Sequence, residues 1–300
     1  MIIISTVGKF HFLKLAEELN KKQSLSVFFS GYPKLKLKSG EINGKIINKS
    51  FFQTSFIILN KFIKFKYLKK FNHFCHKDFD LFVSKQLEKI DFKTFYGHSS
   101  SSFFSGMKAK NLGKKFFCER SSCHIEFDID GMKEEYSKFN VVWDENYKEI
   151  VERENNEYEI ADKIIVPSRF AKNTFLNKGI DNKKIIVNNY GTNFKSLDKF
   201  IERDINQTLN IIFVGICSIE KGIFYLLEAI TGIKNKNIHL KLVGREDNQI
   251  KNQLKKYKND KKISFLGPKN HVEVKKLMTE SDVLVMPSLK EGMSLTIGEA

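Results

Sequence analysis

Two carboxylates, Glu291 and Glu299, are separated by seven intervening residues in the segment PSLKEGMSLTIGEA, residues 287–300. Glu291 follows an apolar run in a glycine-containing turn, and Glu299 falls on a helix that should start near Ser294. Eight positions along a helix is slightly over two turns, so both carboxylates can look into one cleft. The first amides of that helix, around Ser294 and Leu295, suit a phosphate, because a helix N-terminus presents unpaired N–H groups. Taken alone, such a pair reads as two solvated glutamates flanking a helix. A basic residue, Lys221, precedes Gly222 at the head of another helical segment, where it can serve chemistry or simply begin the helix. His11, His98 and His124 sit in loops; Cys75-His76 and Cys123-His124 are adjacent pairs, but without a CxxC spacing they predict no zinc site.

The elements that must position these residues are clearest in the second half. Apolar β-rich runs at 210–216, 239–244, 263–267 and 283–288 alternate with helical spacing at 221–233, 245–258 and 271–280. Continuous apolar strands separated by helices predict βαβ units and a parallel sheet covered on both faces. The first half opens the same way, with a strand at 2–6, a helix at 10–20 and a strand at 25–30. It closes on a strand at 163–167, a helix at 168–178 ended by Gly179, and a strand at 184–187. The fold class is therefore α/β, with a first domain at 1–195, a polar linker at 196–208 and a second domain at 209–300. Open sheets of this type bind ligands at the strand carboxyl ends, so the site is expected in the cleft between the domains.

The chain has 300 residues, 41% apolar and 29% charged, a globular composition long enough for two domains. Its 51 basic and 35 acidic residues leave a net +16, which points to a polyanionic partner. No apolar run approaches the ~20 residues needed to span a bilayer. The opening MIIISTVGKF lacks the basic region of a signal peptide. Four scattered cysteines suit a reducing compartment. The expected location is cytoplasmic, with peripheral association at the inner membrane face.

Several stretches together resemble the retaining glycosyltransferases of family 4. They are FVGICSIEKGIFYLLEAI (213–230), ISFLGP (263–268), SDVLVMPSLKEGMSLTIGEA (281–300) and ADKIIVPSRFAKNTFLNKGIDNKKIIVNNYGTN (161–193). ERSSCHI (119–125) and VGKFHFLKLAEEL (7–19) resemble the family's acceptor-side and opening phosphate loops. The resemblance implies the GT-B fold, two Rossmann-like parallel-sheet domains facing across a cleft, and sugar transfer from a nucleoside-diphosphate sugar to a glycan or lipid-linked acceptor in cell-envelope polysaccharide or glycolipid synthesis. It further implies roles. Glu291 would contact the transferred sugar, Glu299 the ribose, Lys221 the diphosphate, and Ser294 and Leu295 would supply backbone donors. Gly8 would admit the diphosphate from the other domain, and His124 would lie near sugar and acceptor. Many members carry an arginine where this chain has Ile216; Arg245, after the next strand, is the candidate substitute.

The resemblance implies no metal or other cofactor. Asp128-Ile129-Asp130 invites comparison with the metal-binding D-x-D of the other large glycosyltransferase fold, but beside Gly131 it reads as an acidic turn. Between Lys34 and Lys77 there are eleven lysines and one acid, Glu41. Within that stretch, 61–71 interleaves lysine with apolar residues, and on a helix Phe62, Phe65 and Leu68 would share one side. That pattern fits an anionic membrane surface. It also keeps open a non-catalytic basic binding protein, although no nucleic-acid module is visible and no nucleic-acid partner is expected. The family continues beyond the equivalent of Glu299, so the expectation is a C-terminal domain cut short, or an inactive transferase fragment.

Overall fold

The computed structural model describes all residues except 9–10, 38–39, 61, 64, 144–147, 193–207 and 235–236. It divides into two compact units. One comprises Met1–Glu126 with Asp144–Asn189, and the other Phe127–Trp143 with Tyr190–Ala300. The proposed linker at 196–208 lies outside the described residues, apart from Thr208.

The first unit is built on seven parallel strands: β1 Ile2–Thr6, β2 Leu25–Ser30, β3 Ile46–Asn48, β4 Thr94–His98, β5 Lys115–Glu119, β6 Lys163–Val166 and β7 Ile185–Val187. Their order is β3-β2-β1-β4-β5-β6-β7. Helices α1 Phe12–Lys21, α2 Phe51–Leu59, α3 Phe65–Gln86 and α4 Phe103–Asn111 come before α5 Ile125–Lys138, which belongs to the second unit from Phe127 on. They are followed by α6 Lys148–Ile160 and α7 Arg169–Asn177. Ile3, Ile4, Phe28, Phe95 and Phe116 are fully buried, as strands covered on both faces require. The α7 boundaries follow local chemistry. Ser168 Oγ accepts from Ala171 N at 3.0 Å, and Gly179 takes φ +84° just beyond the helix, in the left-handed cap its sequence position predicts.

The second unit carries β8 Leu209–Val214, β9 Ile238–Val243, β10 Ile263–Gly267 and β11 Val283–Leu284, in the order β10-β9-β8-β11, all parallel. Its helices are α8 Ile223–Gly232, α9 Lys251–Leu254, α10 His271–Thr279 and α11 Leu295–Glu299. Asn270 and Glu273 form a capping box at the head of α10.

Four sequence expectations are corrected. The helix expected at 245–258 is a single turn plus a short 3-10 segment. The reason is that Glu246 extends strand-like beside Cys217 before Asp247 caps the following turn. The strand expected at 283–288 pairs only over its first two residues. Asp128-Ile129-Asp130 is not a turn but lies inside α5. Segment 127–143, which the sequence reading placed in the first domain, packs with the second unit. There Met132 and Tyr136 join the core of Phe224 and Leu227, and Phe139 meets the Phe224 ring at 4.5 Å.

The basic segment also differs. Phe62 precedes α3 and is 82% exposed, whereas Leu68 is buried against Phe56 and Cys75, so these two do not share one apolar strip. The side chain of Phe65 lies outside the described residues. No helix among the described residues is long and apolar enough to cross a membrane.

Candidate functional site

In the second sheet β8 is flanked by β9 on one side and β11 on the other, so the strand order reverses between β8 and β11. Such a switch point opens a crevice at the carboxyl ends of the strands, where open α/β sheets take their ligands. The two loops leaving that point are 215–222, after β8, and 285–294, after β11.

The loops are pressed together. Gly222, which caps α8, adopts φ +66°, and a Cβ built on it would stand 2.0 Å from the carbonyl oxygen of Pro287. Only glycine satisfies both the left-handed backbone and that contact. Leu289 N and Lys290 N both donate to Glu220 O, at 2.9 and 3.2 Å. Side chains then cross in alternating charge. Lys221 Nζ hydrogen-bonds Glu291 Oε2, and Lys290 Nζ faces Glu220 Oε1 at 3.8 Å. Lys221 and Glu291 are each about a quarter exposed, so this ammonium and carboxylate remain accessible to a ligand.

At the neighbouring strand the backbones approach just as closely. A Cβ on Gly244, φ +147°, would stand 1.8 Å from Gly215 O. Cys217 N donates to Arg245 O at 2.9 Å, which ties the loop after β9 to the loop after β8. The Arg245 side chain is exposed at this edge and has no side-chain partner among the described residues. Ser294 and Leu295 stand at the head of α11, whose first N–H groups have no intrahelical acceptor. Glu299 ends α11, half-buried; Thr192 Oγ1 donates to Gly298 O at 3.0 Å and anchors that helix. The structure therefore brings Lys221 and Glu291 into contact, and sets Arg245, Ser294 and Leu295 on the same strand-end loops. The sequence reading missed Glu220 and Lys290, although the mirrored dipeptides Glu220-Lys221 and Lys290-Glu291 were a visible signal.

Gly8 and His124 belong to the first unit. Gly8 follows β1, with its N–H on Thr6 Oγ1 at 3.2 Å. His124 is 3% exposed, packed at 4.9 Å from the Phe175 ring and 5.2 Å from that of Tyr158. Its backbone N–H donates to Thr174 Oγ1, and its Nδ1 accepts from Glu126 N, so the imidazole is held as a buried aromatic neighbour. It borders a cavity of about 390 Å³, also lined by Glu126, Asn155 and Lys178.

The first sheet has its own switch point between β1 and β4. The turn after β4 is held from two helices. Glu157 of α6 accepts from Ser100 N and Ser102 N, Arg153 of α6 donates to Ser100 O, and His76 of α3 bonds Ser100 Oγ. Ser100 adopts φ +68°, a strained conformation for a residue with a Cβ, which this clamp enforces. Burial pushes the Glu157 carboxyl well above its ordinary range. Burial, then Arg153, lowers His76 to about 4; burial, then Arg120, lowers His98 to about 3. A histidine kept neutral in the fold but free to protonate when unfolded costs stability as pH falls from ~6.5 toward the folded value. Between pH 7 and 4 the protein should therefore lose about 3 kcal/mol more stability than His98→Gln. Urea midpoints that move in parallel for the two proteins across that range would remove this assignment.

Among the described residues no group of three His, Cys, Asp or Glu side chains could hold a metal ion. Residues 195–300 match the family model of glycosyl transferases group 1. No curated protein matches the chain in sequence. Among solved structures, the apo form of the lipopolysaccharide outer core galactosyltransferase WaaB superposes with a TM-score of 0.62 at 14% identity, covering 100% of this chain and 77% of that one. HepE of Anabaena, in complex with UDP and glucose, gives 0.60 at 12% identity with the same coverages. A trehalose-6-phosphate synthase gives 0.60 at 12% identity, covering 99% and 80%. The match to the glycosyl transferases group 1 model is confined to residues 195–300, and the chain has the GT-B fold.

Proposed function

We propose that this protein is a retaining glycosyltransferase that moves a sugar from a nucleoside-diphosphate sugar to a glycan or lipid-linked acceptor, in cell-envelope polysaccharide or glycolipid synthesis. The observation that carries the reading is the Lys221–Glu291 pair at the switch point of the second sheet, within the region that matches the glycosyltransferase family. Breaking the bond between sugar and diphosphate builds negative charge on the leaving phosphate. The Lys221 ammonium and the first amides of α11 would stabilise that charge as it develops, with Arg245 as a second cation. The anomeric carbon becomes oxocarbenium-like, and the Glu291 carboxylate beside it is favourable. In the structure the two charges neutralise each other. A bound diphosphate would draw Lys221 away and leave Glu291 facing the sugar. Glu299 would hold the ribose hydroxyls, with Gly8 as the approach from the first unit; His124, whose side chain is buried, would need to be uncovered to meet sugar or acceptor. Donor binding in this reading needs no metal.

Thermal unfolding followed with UDP-, GDP- and ADP-sugars tests the donor. One nucleotide sugar should raise the melting temperature by several degrees, equally with and without EDTA, and Glu299→Ala should abolish the shift. No shift with any of the three, or one that needs manganese, contradicts the reading.

The surface between Lys34 and Lys77 supports peripheral binding to an anionic membrane. Leu35, Phe51 and Phe62 are 94%, 75% and 82% exposed amid its lysines. Exposed aromatic rings enter the headgroup region while lysines meet acidic lipids, each worth ~1 kcal/mol. Vesicles rich in phosphatidylglycerol should sediment the protein at low salt and vesicles of phosphatidylcholine should not; equal partitioning rejects the idea.

A further inference from the structure

Asp128 lies on the first turns of α5 in the second unit, and its side chain is fully buried. A buried carboxylate is costly unless a cation meets it. Lys290 supplies one such cation: its Nζ stands 4.0 Å from Asp128 Oδ2 and 3.8 Å from Glu220 Oε1. Lys290 immediately precedes Glu291 in the chain, and its own N–H is held by Glu220 O. The ammonium thus sits between two carboxylates from different segments. One belongs to the loop after β8 and the other to a helix more than 150 residues earlier in the sequence.

We infer that Asp128 is a positioning residue for the Glu291 loop, acting through Lys290. The inference rests on the donor-site reading of Lys221 and Glu291. Its physical basis is the contrast between the two ion pairs of the loop. Lys221–Glu291 is partly open to water, so it can exchange its partners for a ligand. Lys290 is as exposed as Lys221, but Asp128, 4.0 Å from its Nζ, is a carboxylate that water does not reach, and that buried counter-charge keeps the peptide of Glu291 in register while the open pair rearranges. Asp128 and Asp130, which resemble a metal-binding pair in sequence, thereby acquire a different assignment: the first is a counter-ion inside the protein.

The test combines hydrogen exchange with kinetics on the full chain. Asp128→Asn keeps the shape and removes the charge; Lys290→Met removes the tether from the other end and serves if the first variant does not fold. In either, the amides of Leu289 and Lys290 should exchange at least tenfold faster than in the parent, while those of α8 exchange as before. Donor KM should rise about tenfold with kcat changed less than threefold, and the double variant should be no worse than either single one. Unchanged exchange at 289 and 290 overturns the inference. So do exchange that rises equally across α5 and α8 with KM unaltered, and losses that add in the double variant. The exchange measurement needs no turnover. If no nucleotide sugar is a substrate, the donor-site reading fails, and exchange alone decides whether the tether exists.

Discussion

Replacing Lys221 with methionine should lower kcat/KM for the nucleotide sugar by about a thousandfold while leaving the fold intact. Removing one preorganised donor from developing negative charge costs on the order of 100- to 1000-fold, and Lys221 contributes a full charge in place of a neutral N–H. Stability should barely change. The Lys221–Glu291 pair is roughly a quarter exposed at each end, and ion pairs open to water contribute about 0–1 kcal/mol. The melting temperature should therefore stay within a few degrees. Glu291→Gln retains a hydrogen-bond acceptor for Lys221 and removes only the negative charge, so it separates the two roles. It should also fold normally and lose most turnover. Activity within tenfold of the parent in Lys221→Met would leave the pair as a surface salt bridge and nothing more.

Gly222→Ala should produce the other large effect, on stability and activity together. The left-handed backbone costs a residue with a Cβ about 1–2 kcal/mol. The added methyl also has no room, because its position lies 2.0 Å from Pro287 O, a backbone atom that no side-chain rotation can move. Pro287 lies in the loop that carries Glu291, so relief of the clash must spread the loops after β8 and β11 apart. The expected loss is about 2–4 kcal/mol of unfolding free energy and about a hundredfold of turnover. Gly232→Ala is the matching control. Gly232 ends α8 with open space around its Cβ position, and alanine there favours the helix. A Gly222→Ala protein that melts and turns over like Gly232→Ala would show that the two loops are not packed as described.

The α/β class and the strands that open each half of the chain were legible because they are local. A short run rich in β-branched and aromatic residues and closed by glycine, such as IIFVG, reads as a covered strand, and Ser168 with Gly179 mark one helix at both ends. Less was legible wherever a segment's fate depends on a distant partner. The helical spacing of 245–258 gave way because Glu246 pairs beside Cys217, an interaction that helical propensity does not contain. The expected apolar strip of Phe62, Phe65 and Leu68 did not survive because α3 starts only at Phe65. Leu68 instead faces a small core with Phe56 and Cys75.

From its order of residues alone the chain specified which groups could carry the chemistry: an ammonium, two carboxylates and the head of a short helix. It did not specify which of them meet. Lys221 and Glu291 are 70 residues apart, and their contact exists because β11 pairs beside β8 rather than at the far edge of the sheet. Asp128 reaches the same loop only because α5 buries Met132 and Tyr136 in the second unit. Hydrophobic periodicity reports how a segment is covered, not by what, so strand order and the choice of covering helix were settled by packing in three dimensions.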